Sequence, residues 1–417
     1  MLDRTQAPPI RSVSNIVLPE IEKHKLPNGG NLYIHRENNT NAFKIELLTR
    51  GGNISAPNAA LVQLSMKMLA EGTLTRNGHQ ISEHIDSLGS FLEITPGFDH
   101  SSISIYGLKK FFKENIQVLS EMLYESSFEQ KALNVLKEKE KNKLKMNQEK
   151  GSYISSINLR KSLFPEHPYG YSLSKEDIEK LSIEDILAFY NSSILSFDIY
   201  LSGDLPLSTV EIIQTHFSKN IEATEISINS EDSKPEIISV RDSKFIQSSI
   251  KIGKRLFNRT HSDYFKFIVT NEVLGGFFGS RLMKNIREEK GFTYGIYSSL
   301  YPLNKEGYFL ISTDVKGENE KETLNEIKKE IVTLQEQLIV NSELETVKNY
   351  MIGSFVNSFS SPFASITKFK TLNSSNIEFK FYEQYINQVR NVSAEQIQQT
   401  AQQYLDYSSM TISLVGA

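Results

Sequence analysis

Cysteine is missing from all 417 positions, which removes disulfides, cysteine-ligated zinc, iron–sulfur clusters and thiol catalysis from consideration. A chain without thiols fits a reducing compartment. An excess of basic charge is also missing. Lys and Arg number 46 against 50 Asp and Glu, for a formal net charge of −4. That balance lacks the positive field expected of a nucleic-acid binder. No stretch approaches the roughly 18–20 consecutive apolar residues of a spanning helix. The opening residues, MLDRTQAPPIRSVSNIVLPE, hold no apolar run of signal-peptide length followed by a small-residue cleavage site. The expectation is a soluble chain, cytoplasmic unless a leader was removed, in which case periplasmic, with neither membrane nor nucleic acid as partner.

What is present is an ordinary globular balance, 39% hydrophobic and 23% charged. The length predicts two halves of about 200 residues each. Residues 1–20, with three prolines, read as an arm. LPNGG from Leu26 is turn chemistry, and the alternating NLYIHREN and AFKIELLTRGG that follow predict two strands. Helices are expected over Ala59–Ala70, Ile81–Leu88, Leu108–Tyr124 and Phe128–Asn147. FLEITPGFDHSSISIYGL predicts a strand pair.

A repeat runs through this pattern. SIEDILAFYNSSILSFDIYLSGD begins at Ser182 with a capping-box spacing to Asp185 and ends in a strand at Gly203. The last residues, SAEQIQQTAQQYLDYSSMTISLVGA, repeat the order from a Ser393 cap to Gly416. Glu320–Leu338 and Ser342–Phe359 take the places of the two long helices of the first half. The prediction is an α+β fold of two homologous halves, each a mostly antiparallel sheet covered by helices, over 1–220 and 237–417. The acidic, proline-containing stretch 221–236 reads as the linker.

Two segments carry the chemistry. The first is ALVQLSMKMLAEGT, residues 60–73. It resembles, without gaps, the G-L-A-H-F-L-E-H-M-L-F-x-G-T helix of the M16 (pitrilysin/insulinase-like) metallopeptidases. In that family H-x-x-E-H places two histidines on one helical face to share zinc, beside a Glu that acts on the metal-bound water. Here the histidine positions are Gln63 and Lys67 and the Glu position is Met66. A carboxamide is a poor zinc ligand, an ammonium repels the ion, and a thioether accepts no proton. The family's downstream Glu ligand falls on Lys143 when counted without gaps, or on Glu140 after a shift of three. No metal is expected in this chain. His79 and His84 imitate the motif but lie five apart, about 140° around a helix, so they read as surface residues.

The second segment is LGGFFGSRLMKNIREEKGFTYGIYS, residues 274–298. It resembles the family's L-G-G-G-x-x-S-R-L-x-x-x-I-R-E-x-x-G-x-x-Y signature. Gly275, Gly276 and Gly279 break the preceding helix and allow close backbone approach, and Ser280 is placed to cap the helix that follows. By resemblance the glycines belong to the substrate-binding site. Arg287 and Tyr294 would hold the substrate backbone and stabilise the oxyanion, since both are donors able to reach developing negative charge. The alternative is an Arg287 ion pair to a neighbouring Glu and a half-buried strand Tyr294. LFPEHPYG, residues 163–170, resembles a further family loop, with His167 read as a turn histidine bonded to backbone.

In heterodimeric M16B enzymes and the similar mitochondrial processing peptidase, one subunit carries zinc and another holds substrate. The resemblance therefore implies a non-catalytic, substrate-binding subunit. Its partner would be an H-x-x-E-H-containing M16B chain, with zinc only there, and its ligand a peptide. The alternative is a structural or peptide-binding homodimer of the same fold.

Overall fold

The computed structural model describes residue 13 and residues 16–37, 40–218 and 233–417. In the first half the strands are β1 (Glu22–Lys25), β2 (Asn31–Arg36), β3 (Ala42–Thr49), β4 (Phe91–Thr95), β5 (Ser101–Leu108) and β6 (Phe197–Gly203). Its helices are α1 (Ala59–Met68), α2 (Gly78–Ser87), α3 (Phe112–Tyr124), α4 (Gln130–Gln148), α5 (Gly151–Leu163), α6 (Lys175–Lys180), α7 (Ile183–Phe189) and α8 (Thr209–His216). The second half supplies β7 (Ile237–Arg241), β8 (Gln247–Leu256), β9 (Ile296–Pro302), β10 (Gly307–Lys316) and β11 (Thr411–Gly416). Its helices are α9 (Tyr264–Asn271), α10 (Glu320–Glu336), α11 (Asn341–Asn357), α12 (Pro362–Asn373), α13 (Phe381–Asn391) and α14 (Ala394–Tyr404).

The repeat read from the two capped C-terminal segments is a repeat of topology. One sheet runs β1-β2-β6-β3-β5-β4 and the other β7-β11-β8-β10-β9. In each, the last strand of its half pairs in parallel with one neighbour, β6 with β2 and β11 with β7, and antiparallel with the other. The remaining pairs beyond are antiparallel. Ser182 and Asp185 form the expected capping box, as do Ser393 and Gln396. Gly203 has φ +115°, and a Cβ there would meet the Ala42 carbonyl oxygen at 2.2 Å. The closing glycine of the first repeat is therefore a requirement of the end of β6, where it passes close to β3.

Each sheet buries one face against helices of its own half. Leu32, Ile34, Ile45, Leu47, Ile199 and Leu201 serve the first core, and Ile250, Ile252, Phe309 and Ile311 the second. The opposite faces are covered across the halves. α5 of the first half packs on β8 and β11, with Leu159 and Leu163 against Gly253. α12 of the second half packs on β2 and β6, where Ile366 and Phe369 meet Tyr33 and Tyr200. The halves thus exchange one helix each, and the linear boundary near 221–236 does not separate two independent bodies. Residues 221–232 of that stretch lie outside the described residues. Of the N-terminal arm, Val13, Ile16 and Leu18 pack against the second core.

Polar contacts fix the exchange. Lys370 of α12 reaches the buried Glu46 carboxylate at 2.6 Å, and Lys44 reaches it at 2.9 Å. Burial alone would push the Glu46 carboxyl up, but Lys370 and Lys44 outweigh it and hold it below the usual carboxylate range. A depressed carboxyl stabilises the fold above its unfolded pKa and loses that contribution as pH falls through its folded value. Lys370→Met is therefore expected to cost about 1.5–3 kcal/mol at neutral pH, with the gap to wild type closing on acidification below pH ~4. Urea unfolding of both proteins at two pH values measures this; a gap constant with pH rules out the ion pair as its source.

Candidate functional site

In the first half, α1 is capped by Asn58, whose side chain accepts from Leu61 N at 3.0 Å. One turn apart on that helix, Gln63 and Lys67 face α4, where both meet Glu140. Gln63 Nε2 donates to one carboxylate oxygen and Lys67 Nζ to the other. Glu140 is 4% exposed, while Lys143 is exposed. The ungapped count to Lys143 is thus corrected: α4 turns 143 to solvent and brings 140 inward. Leu133, Leu136, Glu140 and Leu144 form the buried stripe of α4. Their three- and four-residue spacing is the signal that selects Glu140 from sequence.

The arrangement is a metal-type convergence filled by an ammonium. Lys67 supplies the positive charge that Glu140 requires inside the protein, and Gln63 completes the carboxylate's hydrogen bonding. Met66 is wholly buried in the core and takes no part. One carboxylate, one carboxamide and one ammonium do not fit zinc. Among the described residues no group of three or more His, Cys, Asp or Glu is placed to hold a metal. His79 lies within α2. It sits 3.7 Å from Glu83 with a largely exposed side chain, on the surface as the spacing implied.

In the second half, α9 runs into a π-helical turn, Glu272–Gly276, and a second π-helical stretch covers Met283–Glu289. The close neighbours of the three signature glycines are internal. A Cβ on Gly275 would lie 2.6 Å from Ser298 Oγ, on Gly276 2.4 Å from Glu272 Oε2, and on Gly279 2.8 Å from the Phe277 ring. Each glycine therefore permits a close approach within its own chain. Ser280 does not cap the helix after it: its hydroxyl is buried without a hydrogen-bond partner. Arg281 of the same run is structural, held bidentately by Glu343 at 2.9 and 3.0 Å.

Arg287 and Tyr294 come together in a cavity of ≈ 690 Å³ that Gln247, Phe292 and Lys316 also line. The Arg287 guanidinium lies over the Phe278 ring at 4.4 Å, and among the described residues it has no carboxylate within ion-pair distance. Its hydrogen-bonding edges stay open while the ring fixes its plane. Tyr294 precedes β9 and is 95% exposed, unlike a half-buried strand residue. The loop presenting it is rigid on its inner side. Thr293 Oγ1 donates to the Asp314 carbonyl at 2.8 Å, Gly295 N donates to Thr293 Oγ1 at 3.1 Å, and Thr313 Oγ1 donates to Gly295 O at 3.0 Å.

The third family-like segment is a structural anchor. His167 Nδ1 accepts from Tyr169 N at 3.0 Å, and burial holds its imidazole below the ordinary histidine range. Tyr169 is fully buried and donates to Asp99, which also accepts from Asn304 N of the second half at 3.0 Å. Sequence reasoning missed this bond between the halves, because nothing in the spacing of residues 99, 169 and 304 signals contact.

Comparison with known proteins agrees with this geometry. The family described as Peptidase M16 inactive domain matches residues 180–351. A Bacillus subtilis (strain 168) protein named Uncharacterized zinc protease YmxG is 26% identical over 367 residues, 84% of this chain and 87% of its own length. The Helicobacter pylori (strain ATCC 700392 / 26695) protein named Non-peptidase homolog YmxG is 24% identical over 412 residues, 95% and 90% of the two chains. Among solved structures, a peptidase M16 inactive domain from Pseudomonas fluorescens superposes with a TM-score of 0.86 at 22% identity, covering 95% of this chain and 98% of that one. A protease from Helicobacter pylori superposes at 0.84 with 15% identity, over 96% and 100%. With the repeated sheets and the altered α1 helix, these matches lead to one conclusion: the chain is similar to M16 peptidase inactive-domain proteins in sequence and fold, with the H-x-x-E-H residues replaced.

Proposed function

We propose that this chain is the non-catalytic, substrate-binding subunit of a heterodimeric M16-type zinc metallopeptidase. The observation that carries the reading is the pairing of an open Arg287 guanidinium with a 95% exposed Tyr294 phenol on one cavity. A fully exposed tyrosine held on a rigid loop has no packing role in this chain, and it presents a donor to something outside it. In the paired enzyme Arg287 would donate to backbone carbonyls of a bound peptide, and Tyr294 would donate its hydroxyl to the oxygen that gains charge as the peptide carbon becomes tetrahedral. The peptide itself would extend along a free sheet edge, for which β4 and β9 are the terminal strands on the far side from the parallel pairs.

Zinc, when bound, polarises the scissile carbonyl and supplies the attacking water's activation. Its ligands and the general base would belong to the partner, because Gln63, Met66 and Lys67 offer neither. The experiment is a pull-down of the chain from its native lysate with mass spectrometry of the stoichiometric partner. A one-to-one partner with an intact H-x-x-E-H is the expected result. Recovery of a homodimer alone would overturn the paired reading in favour of a peptide-binding or structural dimer.

A further inference from the structure

A second cavity, of ≈ 340 Å³, lies between α9, α11, α12 and α13 and shares no lining residue with the Arg287–Tyr294 cavity. Its floor carries Glu272, the first residue of the π-helical turn. The carboxylate rests against Gly276, which explains that glycine: any side chain there would displace it. Among the described residues Glu272 has no hydrogen-bond or ion-pair partner, and burial pushes its pKa up to about 7. Lys368 lines the same cavity from α12, its ammonium 5.9 Å from the centre of the Tyr382 ring and with no carboxylate in ion-pair distance among the described residues. Arg259 lies near it and donates to the Pro302 carbonyl at 3.1 Å. Aromatic rings form the walls, including Tyr385, which stacks on Phe355 at 4.0 Å.

An unpaired carboxylate and an unpaired ammonium in one cavity, too far apart to form an ion pair with each other, set a specific requirement. A simple cation would answer Glu272 and leave Lys368 and Arg259 unmatched. A simple anion would do the reverse. We propose that this cavity binds a small zwitterion, with its ammonium on Glu272, its carboxylate on Lys368 and Arg259, and its apolar part against the rings. A short peptide, whose charges stand at opposite ends, is the class we assign, since Glu272 and Lys368 line the cavity from different elements and do not pair with each other. A free amino acid is the second source of the same chemistry. The inference is independent of the Arg287–Tyr294 reading, since it uses none of those residues.

Binding of an ammonium requires Glu272 to be ionised, so affinity rises with pH through neutrality and binding near pH 7 releases a proton. The charged and titratable groups around Glu272 are Tyr264 of α9, Tyr350 of α11, Lys368 of α12, Tyr382 and Tyr385 of α13, and Arg259. Burial raises Tyr264, Tyr382 and Tyr385 and lowers Lys368.

The test is isothermal titration of the full chain with glycyl-phenylalanine and, separately, phenylalanine, at pH 6 and pH 8. Saturable binding of the dipeptide is expected, about three- to fivefold tighter at the higher pH, because ionisation of Glu272 outweighs the partial loss of the dipeptide's own ammonium. Glu272→Gln, nearly isosteric, is expected to lose about tenfold or more together with the pH dependence. Lys368→Met should weaken binding while leaving the pH dependence in place, and it carries the test if the glutamine variant fails to fold. Tighter binding of phenylalanine with the same responses assigns a free amino acid as the source. No saturable binding of either probe up to about 10 mM, or binding indifferent to both substitutions, overturns the proposal.

Discussion

On the proposed role, Tyr294→Phe in this chain is expected to lower the turnover of the two-chain peptidase by about 10²–10³-fold, the usual cost of deleting one oxyanion donor. The substitution removes a single hydroxyl from a side chain that is 95% exposed, so the chain's melting temperature and its assembly should not change. The zinc content of the complex should not change either, because the metal would sit wholly in the partner. The loss should fall on kcat rather than KM, since the hydroxyl acts on charge that appears only as the carbonyl is attacked. Steady-state kinetics on the purified complex, with metal analysis of the same samples, measures all three. Unaltered kcat with zinc retained would remove Tyr294 from the reaction and leave only peptide holding for this surface.

The second large effect is a gain. Restoring Gln63→His, Met66→Glu and Lys67→His together is expected to turn a chain without a fitting metal site into one that retains one zinc per chain through gel filtration. The two introduced imidazoles would lie one turn apart on α1. Glu140, which already reaches both positions, would provide the third protein ligand, leaving a position for water. Without zinc the triple variant leaves Glu140 buried without its ammonium, which costs stability. Zinc should therefore raise its melting temperature, while the wild-type chain shows no such rise. Adding Glu140→Gln should weaken retention. A folded triple variant that holds no zinc would show that α1 and α4 no longer approach as a metal site requires.

Much of this site was legible beforehand because its signals are local. The Arg287–Tyr294 spacing spans one helix end and one strand entry, so the chain itself brings the pair together. The loss of the motif at Gln63, Met66 and Lys67 is likewise read from one helix. The fourth position was not settled by counting, because the count ignores which face of α4 is buried; the stripe through Leu136 and Leu144 resolves it for Glu140. Ser280 had the right residue type for a cap, yet its hydroxyl is buried where no helix amide reaches it. The crossing helices α5 and α12 could not be assigned to the opposite sheet from pattern alone. Their weakly amphipathic sequences carry no address, and the complementary small residue, Gly253, becomes informative only once Leu159 is seen beside it. Glu272 gave no signal at all, since an isolated Glu near a glycine pair is indistinguishable from a surface residue until its surroundings are known.

The exchange of α5 and α12 has a mechanical consequence. A hinge between the two sheets would have to drag each crossing helix off the face it covers, uncovering Leu159 and Leu163 on one side and Tyr33 and Tyr200 on the other. Exposing that much apolar surface together with the buried Glu46–Lys370 pair is costly, so the single chain behaves as one stiff jaw. In the two-chain assembly proposed above, any gape wide enough to admit a peptide would then come from the seam between the chains. Control of access would lie in how firmly the chains hold each other.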